Sequence, residues 1–332
     1  MAGKKIKDTE YLYLSAYVHA KENSMIGAER IERMLASRSP EEALKVLDEA
    51  GWSPEDKSSA ALEKLLSHKR DEAFADMGKL APNVGVVDMF RIRYDYHNAK
   101  VLIKSSATGT NASELLSGAG RYSPEELKAI FVEGRLSALP KIFADAIAEA
   151  NDTLARTGDP QLADFILDKA YYEEYIAAAK AVGSDFLMGY ARLSVDCANL
   201  RSLVRSFRMK KDEAFIKRAL LEGGNVKCNY IIASLASPEA AIDLYSSSAL
   251  AQAAAEGKAI VNGGKLSEFE RLCDNVLNRY IADAKLSAFG EKPLIGYLCA
   301  VEAEIKAIRI VMAGQYAGIP ADTTRKRLRE GL

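Results

Sequence analysis

The densest run of groups able to do chemistry in this 332-residue chain is Asp95-Tyr96-His97-Asn98: a carboxylate, a phenol, an imidazole and an amide in consecutive positions. A carboxylate beside an imidazole suits general acid–base catalysis, because histidine titrates near neutral pH. The three histidines, His19, His68 and His97, lie far apart and form no HExxH or comparable ligand spacing, so no metal centre is expected. The stretch Asn262-Gly263-Gly264-Lys265-Leu266 approaches a phosphate loop but has Ala259 in place of the first Gly and Leu266 in place of Ser or Thr. It is expected to connect helices. Cys197, Cys228, Cys273 and Cys299 make no CxxC pair, which points to small buried apolar side chains in a reducing compartment and not to zinc or disulfides.

The acid–base reading weakens when the run is compared with the rest of the chain. Three segments superpose without gaps: Ile92 to Lys104 (IRYDYHNAKVLIK), Leu193 to Arg205 (LSVDCANLRSLVR) and Leu298 to Ile310 (LCAVEAEIKAIRI). Asn98 matches Asn199 and Glu304, and Lys100 matches Arg201 and Lys306. The steps from Asn98 to Asn199 and from Asn199 to Glu304 are 101 and 105 residues. Two of the three copies lack the histidine, so capping or interhelix bonding explains the run better than catalysis. Pro40, Pro140 and Pro238, each after a Leu/Ala/Ser-rich segment, step by 100 and 98 residues. Two landmarks with one period argue for three homologous units, each longer than a solenoid repeat and so each a small helical bundle.

The elements that must position these residues are helices. Nine prolines are few for this length, and β-branched residues dominate no long window. From Leu193 the apolar side chains fall at Leu193, Cys197, Leu200, Leu203, Val204 and Phe207, one face of a 3.6-residue period, with Asp196, Asn199, Arg201, Arg205 and Arg208 taking the rest of the circumference. Ser39-Pro40, Ser123-Pro124 and Ser237-Pro238, each followed by Glu, are helix starts, while Gly51, Gly158 and Gly223-Gly224 are stops or loops.

Charge narrows the partners. Lys and Arg number 45 against 46 Asp and Glu, a net charge of −1, so no global field draws the chain to nucleic acid. The start, Met1 to Asp8, is basic without an apolar core behind it, and no run of about 18 apolar residues occurs, so neither secretion nor membrane crossing is expected. Two basic groups stand out locally. Arg201, Arg205, Arg208, Lys210 and Lys211 suit either the negative end of a helix dipole or a docking patch. Arg325, Lys326, Arg327 and Arg329 read as a solvated, frayed last helix.

The segment Phe90 to Lys104, with its Tyr94-Asp95-x-x-Asn98 core before a basic amphipathic stretch, resembles the C subunits of archaeal and vacuolar (A/V-type) rotary ATPases, related to the d subunits of the eukaryotic enzymes. The opening Tyr11 to Ala20 and the ending Gly318-Ile319-Pro320 to Glu330 are similar to that family too, so the resemblance runs over essentially the whole chain. It implies an all-α protein of three similar multi-helix bundle domains around a pseudo-threefold axis, funnel-shaped, with boundaries at 1–120, 121–222 and 223–332. It further implies a non-catalytic central-stalk protein without cofactor, peripheral on the cytoplasmic face of the membrane. One copy per complex would couple the proteolipid rotor ring to central shaft subunits of D and F type, with the membrane stator subunit as a further contact.

Partner contacts are then expected at Lys100, Arg201, Arg205, Arg208 and Lys306. In the third copy Val301 replaces Asp95 and Asp196, and Arg309 stands where the others are apolar, so that unit is expected to meet its partner differently. The residues alone leave two alternatives open: a helical-repeat scaffold for another cytosolic assembly, and a helical enzyme using Asp95 and His97.

Overall fold

The computed structural model describes residues 7–331, the side chain of Lys285 excepted. The basic start at residues 1–6 therefore lies outside the described residues. Among those described there is no β-strand. In chain order the α-helices are α1 (Leu12–Glu22), α2 (Gly27–Ala36), α3 (Pro40–Glu49), α4 (Ser59–Leu80), α5 (Val84–Thr108), α6 (Pro124–Glu133), α7 (Lys141–Thr157), α8 (Pro160–Val182), α9 (Asp185–Arg208), α10 (Glu213–Ala219), α11 (Cys228–Ala233), α12 (Pro238–Asp243), α13 (Ala251–Ile260), α14 (Leu266–Lys285), α15 (Glu291–Tyr316) and α16 (Ala321–Arg325). The protein is all-α.

Local chemistry sets the boundaries. The hydroxyls of Ser39, Ser123 and Ser237 accept from the backbone N–H of Glu42, Glu126 and Ala240, and a proline opens α3, α6 and α12. Pro at the first helical position loses no bond, because that N–H has no partner within the helix. Gly158 ends α7 in the left-handed region at φ +66°, where a Cβ would be strained. The near-phosphate loop is the turn between α13 and α14, with Gly263 and Gly264 at positive φ.

The three matched segments fall on the three longest helices, α5, α9 and α15, of 25, 24 and 26 residues. Each is buried on far more than one stripe. On α9 the apolar face is in the core as its spacing predicts, with Cys197, Leu200, Leu203 and Val204 inaccessible. Asp196 and Asn199, expected on the polar circumference, are buried as well. A fully polar residue can occupy such a place only where partners meet its donors and acceptors; the loops after α5 and α9 supply them, and for α15 the N-terminal residue of α2 does.

The helices pack into two compact units, one of residues 85–266 and one combining 7–84 with 267–331. In the first, α5, α6, α7 and α8 share a core of Ile92, Tyr96, Leu127, Phe143, Ile147 and Leu167. The ring of Tyr96 lies 4.6 Å from that of Phe143 and 5.8 Å from that of Tyr171. In the second, α15 packs against α1, α2, α3 and α4, burying Leu14, Ile31, Met34, Leu66, Leu298 and Ile308. Burying one such side chain stabilises by about 1.5–3 kcal/mol, more than an exposed ion pair contributes. The core therefore sets where α5, α9 and α15 lie, and the polar groups set how they join their neighbours.

Candidate functional site

The chemistry-bearing run divides on folding. His97 is exposed on α5, and its Nε2 donates to the Leu115 carbonyl at 2.9 Å. Asp95 and Asn98, one turn apart, point inward and are fully buried. The side chain of Asn98 clamps one residue of the following loop: its Nδ2 donates to the Ser117 carbonyl (2.9 Å) and its Oδ1 accepts from the Ser117 N–H (2.8 Å). Asp95 Oδ1 accepts from the backbone N–H of Arg121 at 2.9 Å, and Oδ2 receives Arg121 Nε at 2.5 Å.

The second copy repeats the device. Asn199 Nδ2 donates to the Leu221 carbonyl (2.8 Å) and Oδ1 accepts from the Leu221 N–H (2.9 Å). Asp196 accepts from the backbone N–H of Asn225 and of Val226, each at 3.1 Å. A Cβ on Gly120 or on Gly224 would overlap Asp95 Oδ1 or Asp196 Oδ1 respectively, so glycine is required where the loop passes each carboxylate. The third copy departs as its sequence does. Val301 has no acceptor to offer, and the longer Glu304 reaches out from α15, its Oε1 accepting from the N–H of Gly27 at 2.8 Å. Gly27 is the first residue of α2, so the N-terminal helices receive from α15 a buried acceptor of the kind that α5 and α9 offer to the loops that follow them.

One joint is ionic. Arg121 bridges Asp95 to Glu174 on α8, with Nη1 to Glu174 Oε1 at 2.6 Å, and Tyr96 donates its hydroxyl to Glu174 Oε2 at 2.9 Å. Burial pushes Asp95 up to about 6, with the Arg121 guanidinium and the two loop amides pulling the other way. For Arg121 burial lowers the pKa but the carboxylates Glu174 and Asp95 more than offset it, so its charge is held. The difference follows from stoichiometry: the cation has two carboxylates, whereas Asp95 has one cation. Burial and the neighbouring Glu174 charge push the Tyr96 phenol far up, so it stays a donor. Burial also raises Asp196, which has the Asn225 side chain as partner but no arginine among the groups that tune it.

The predicted contact cations take different places. Lys100 pairs with Asp168 on α8 at 2.6 Å, and one turn on Lys104 pairs with Asp164 at 2.7 Å, a two-rung ladder between α5 and α8. Lys306 pairs with Asp274 on α14, which also takes Arg329 at 2.8 Å. Arg201, Arg205 and Arg208 line the last two turns of α9, Arg205 exposed and the others half-buried. Arg205 and Arg208 thus sit at the negative end of the α9 dipole. Arg309 pairs with Glu63 of α4 at 2.9 Å.

The other chemical options are sparse. A groove of about 440 Å³ between α7, α8 and α10 has an apolar floor of Ile142, Phe165 and Ile166 and a mixed rim of Glu149, Lys169, Glu173 and Arg218. Among the described residues, no three His, Cys, Asp or Glu side chains converge as they would to hold a metal ion. Three of the free cysteines, Cys197, Cys228 and Cys273, are buried. Sequence reasoning matched the Asp/Asn pair between copies but assigned the second pair to the polar circumference. The signal to read was their i,i+3 spacing, which puts both on one helix face, together with the glycine inside each receiving loop, Gly120 and Gly224.

Fold and site together define an all-helical protein whose buried polar side chains join each long helix to the segment that packs on it. The chain belongs to the ATP synthase (C/AC39) subunit family, whose model matches residues 14–327. Among its relatives, it is 25% identical over 329 residues to the C subunit of the V-type sodium ATPase of Enterococcus hirae, covering 97% of this chain and 98% of that protein. It is 24% identical to the C subunit of the A-type ATP synthase of Haloquadratum walsbyi, with 95% and 96% covered. To the C subunit of the V-type ATP synthase of Deinococcus radiodurans it is 22% identical, with 98% and 93% covered.

Proposed function

We propose that this chain is the central-stalk C subunit of an A/V-type rotary ATPase, coupling the membrane rotor ring to the central shaft for ATP-linked transport of protons or sodium ions. The observation that carries this reading is the end-to-end correspondence with proteins named as that subunit in machines of both types. In it the chain does no bond-making chemistry. Its task is to pass torque without slipping, which calls for helices that cannot shift against one another. Close packing supplies part of that stiffness, and buried polar joints such as Asn98–Ser117 and Asp95–Arg121–Glu174 supply the rest.

In this reading the joint repeated on α5 and α9 supports the first two of three modules, 1–120, 121–222 and 223–332, as copies of one another, and the three stand about a pseudo-threefold axis, forming a funnel. Its hollow would hold the foot of the shaft, of D and F type, and its base would rest on the proteolipid ring, with the stator subunit as a further neighbour. No described helix is long and apolar enough to cross a membrane, which fits a single copy held peripherally on the cytoplasmic face by its partners. Within this reading Arg201, Arg205 and Arg208 are the shaft contacts. Lys100 and Lys306 act there through the ion pairs they keep with Asp168 and Asp274.

The test is reconstitution. In vesicles carrying the ATPase complex without this chain, ATP hydrolysis should persist while ion pumping is lost, and adding the purified chain should restore pumping. Undiminished pumping without it would overturn the reading. Arg205→Glu with Arg208→Glu should weaken binding to the isolated shaft by about tenfold at low salt and less at high salt, as expected for rim charges.

A further inference from the structure

Arg329 and Glu330 do not fray. Beyond α16 they lie along α14, on a stripe formed by Arg271, Asn275, Asn278 and Arg279, positions i, i+4, i+7 and i+8 of one face. Asn275 Oδ1 accepts the N–H of Glu330 at 3.0 Å, and Asn278 Nδ2 donates to the carbonyl of the same residue at 2.6 Å. The two amides thus bracket both backbone polar groups of one residue, which is how an extended segment is held irrespective of its side chain. Arg279 grips the Glu330 carboxylate with Nε at 2.7 Å and Nη2 at 3.0 Å, and Arg271 stands 4.0 Å from it. Arg329 turns back to Asp274.

The seat is only partly filled. Asn275 is fully buried, yet its Nδ2 has no hydrogen-bond partner among the described residues. Asn98 and Asn199 show what a filled amide looks like on this scaffold: each spends Oδ1 on an N–H and Nδ2 on a carbonyl. A buried donor left unmet is unfavourable, and the tail does not meet it. The carboxylate part of the tail's hold is weak, because the Arg279–Glu330 pair is about half exposed at both ends and so is screened by water and salt, whereas the Arg329–Asp274 pair is less exposed.

We propose that this face of α14 is a docking seat for an extended acidic segment of a neighbouring subunit, and that the C-terminal tail is its displaceable occupant. The inference rests on the reading of the chain as one member of a larger complex. The ligand class follows from the lining. Arg279 selects a carboxylate, Arg271 being engaged by Glu268 at 2.6 and 2.9 Å, and Asn275 and Asn278 select an extended backbone that presents both an N–H and a C=O. An incoming backbone could remake the bond that the Glu330 N–H gives to Asn275 and meet the unused Asn275 donor, at the cost of the half-exposed Arg279–Glu330 pair and the Arg329–Asp274 pair.

Two experiments on the full chain decide it. A photo-crosslinking phenylalanine analogue placed at Ala282, an exposed residue one turn beyond the seat on the same stripe, should form adducts with residues 329–331 of its own tail in the free chain. In the purified assembled complex the adduct should move to an acidic segment of another subunit, identified by mass spectrometry. Adducts to its own tail in both states would overturn the proposal. Separately, in the chain carrying Glu330→Lys, a synthetic peptide of residues 326–332 should bind at least tenfold tighter than to the unaltered chain. That gain should disappear when the peptide's own glutamate is replaced by lysine. Equal binding of the two peptides would refute carboxylate recognition. The peptide experiment needs no complex, so its failure is distinct from failure of the central-stalk reading.

Discussion

Replacing Asn98 by alanine isolates the joint between a long helix and the loop after it. The side chain is inaccessible to water and makes two bonds to Ser117, itself only 5% exposed. Alanine leaves the Ser117 N–H and carbonyl both buried and unmet. Each such group costs about 1–3 kcal/mol, and relaxation of the loop or entry of a water recovers part of it, so a loss of about 3 kcal/mol is expected. Against a typical total of about 5–15 kcal/mol that is a large fraction. Because the chain forms two compact units, a single global melting curve need not be two-state. Hydrogen exchange resolved to single amides is the better assay. The Ser117 N–H should lose about two orders of magnitude of protection, while amides at the centre of α15 change little. Asn199→Ala should do the same to the Leu221 N–H, whose bond has nearly the same length. A loss below about 0.5 kcal/mol for Asn98→Ala, or equal loss of protection throughout, would refute the view that these amides carry the joints.

Two further outcomes follow from the same site. Gly120→Ala and Gly224→Ala each drive a methyl into a buried carboxylate oxygen and should destabilise by about 1–3 kcal/mol in thermal denaturation, whereas Gly109→Ala, with open space around it, should cost only its positive-φ strain of about 1 kcal/mol. Asp95 is held up to about 6 against an unfolded value near 4, so the folded chain binds its proton more tightly over that interval. Its contribution to stability should therefore fall as pH rises from about 4 to 6 and level off above, and Asp95→Asn should remove that segment of the pH profile. A carboxyl NMR titration that places Asp95 below 4 would contradict the dominance of burial over the Arg121 charge.

What the sequence determined on its own was local and periodic. Helix starts at Ser39-Pro40, Ser123-Pro124 and Ser237-Pro238 are set by a hydroxyl, a fixed proline φ and the N–H three residues on, all within one turn of chain. The apolar stripe from Leu193 to Val204 is set by the 3.6-residue period, and the matched segments on α5, α9 and α15 were visible because register within a helix is counted along the chain. Tertiary structure decided what those positions face. Asp196 and Asn199 lie in the core because loop amides 22 to 30 residues away come to meet them, and no local propensity encodes that meeting. Lys100 and Lys306 are engaged because Asp168 and Asp274 arrive on other helices. The stretch at Arg329 and Glu330 is strapped to α14 instead of fraying, since the partners of both lie more than 50 residues back. A polar side chain carries the same letter whether water or a distant backbone amide completes it, and only packing distinguishes the two.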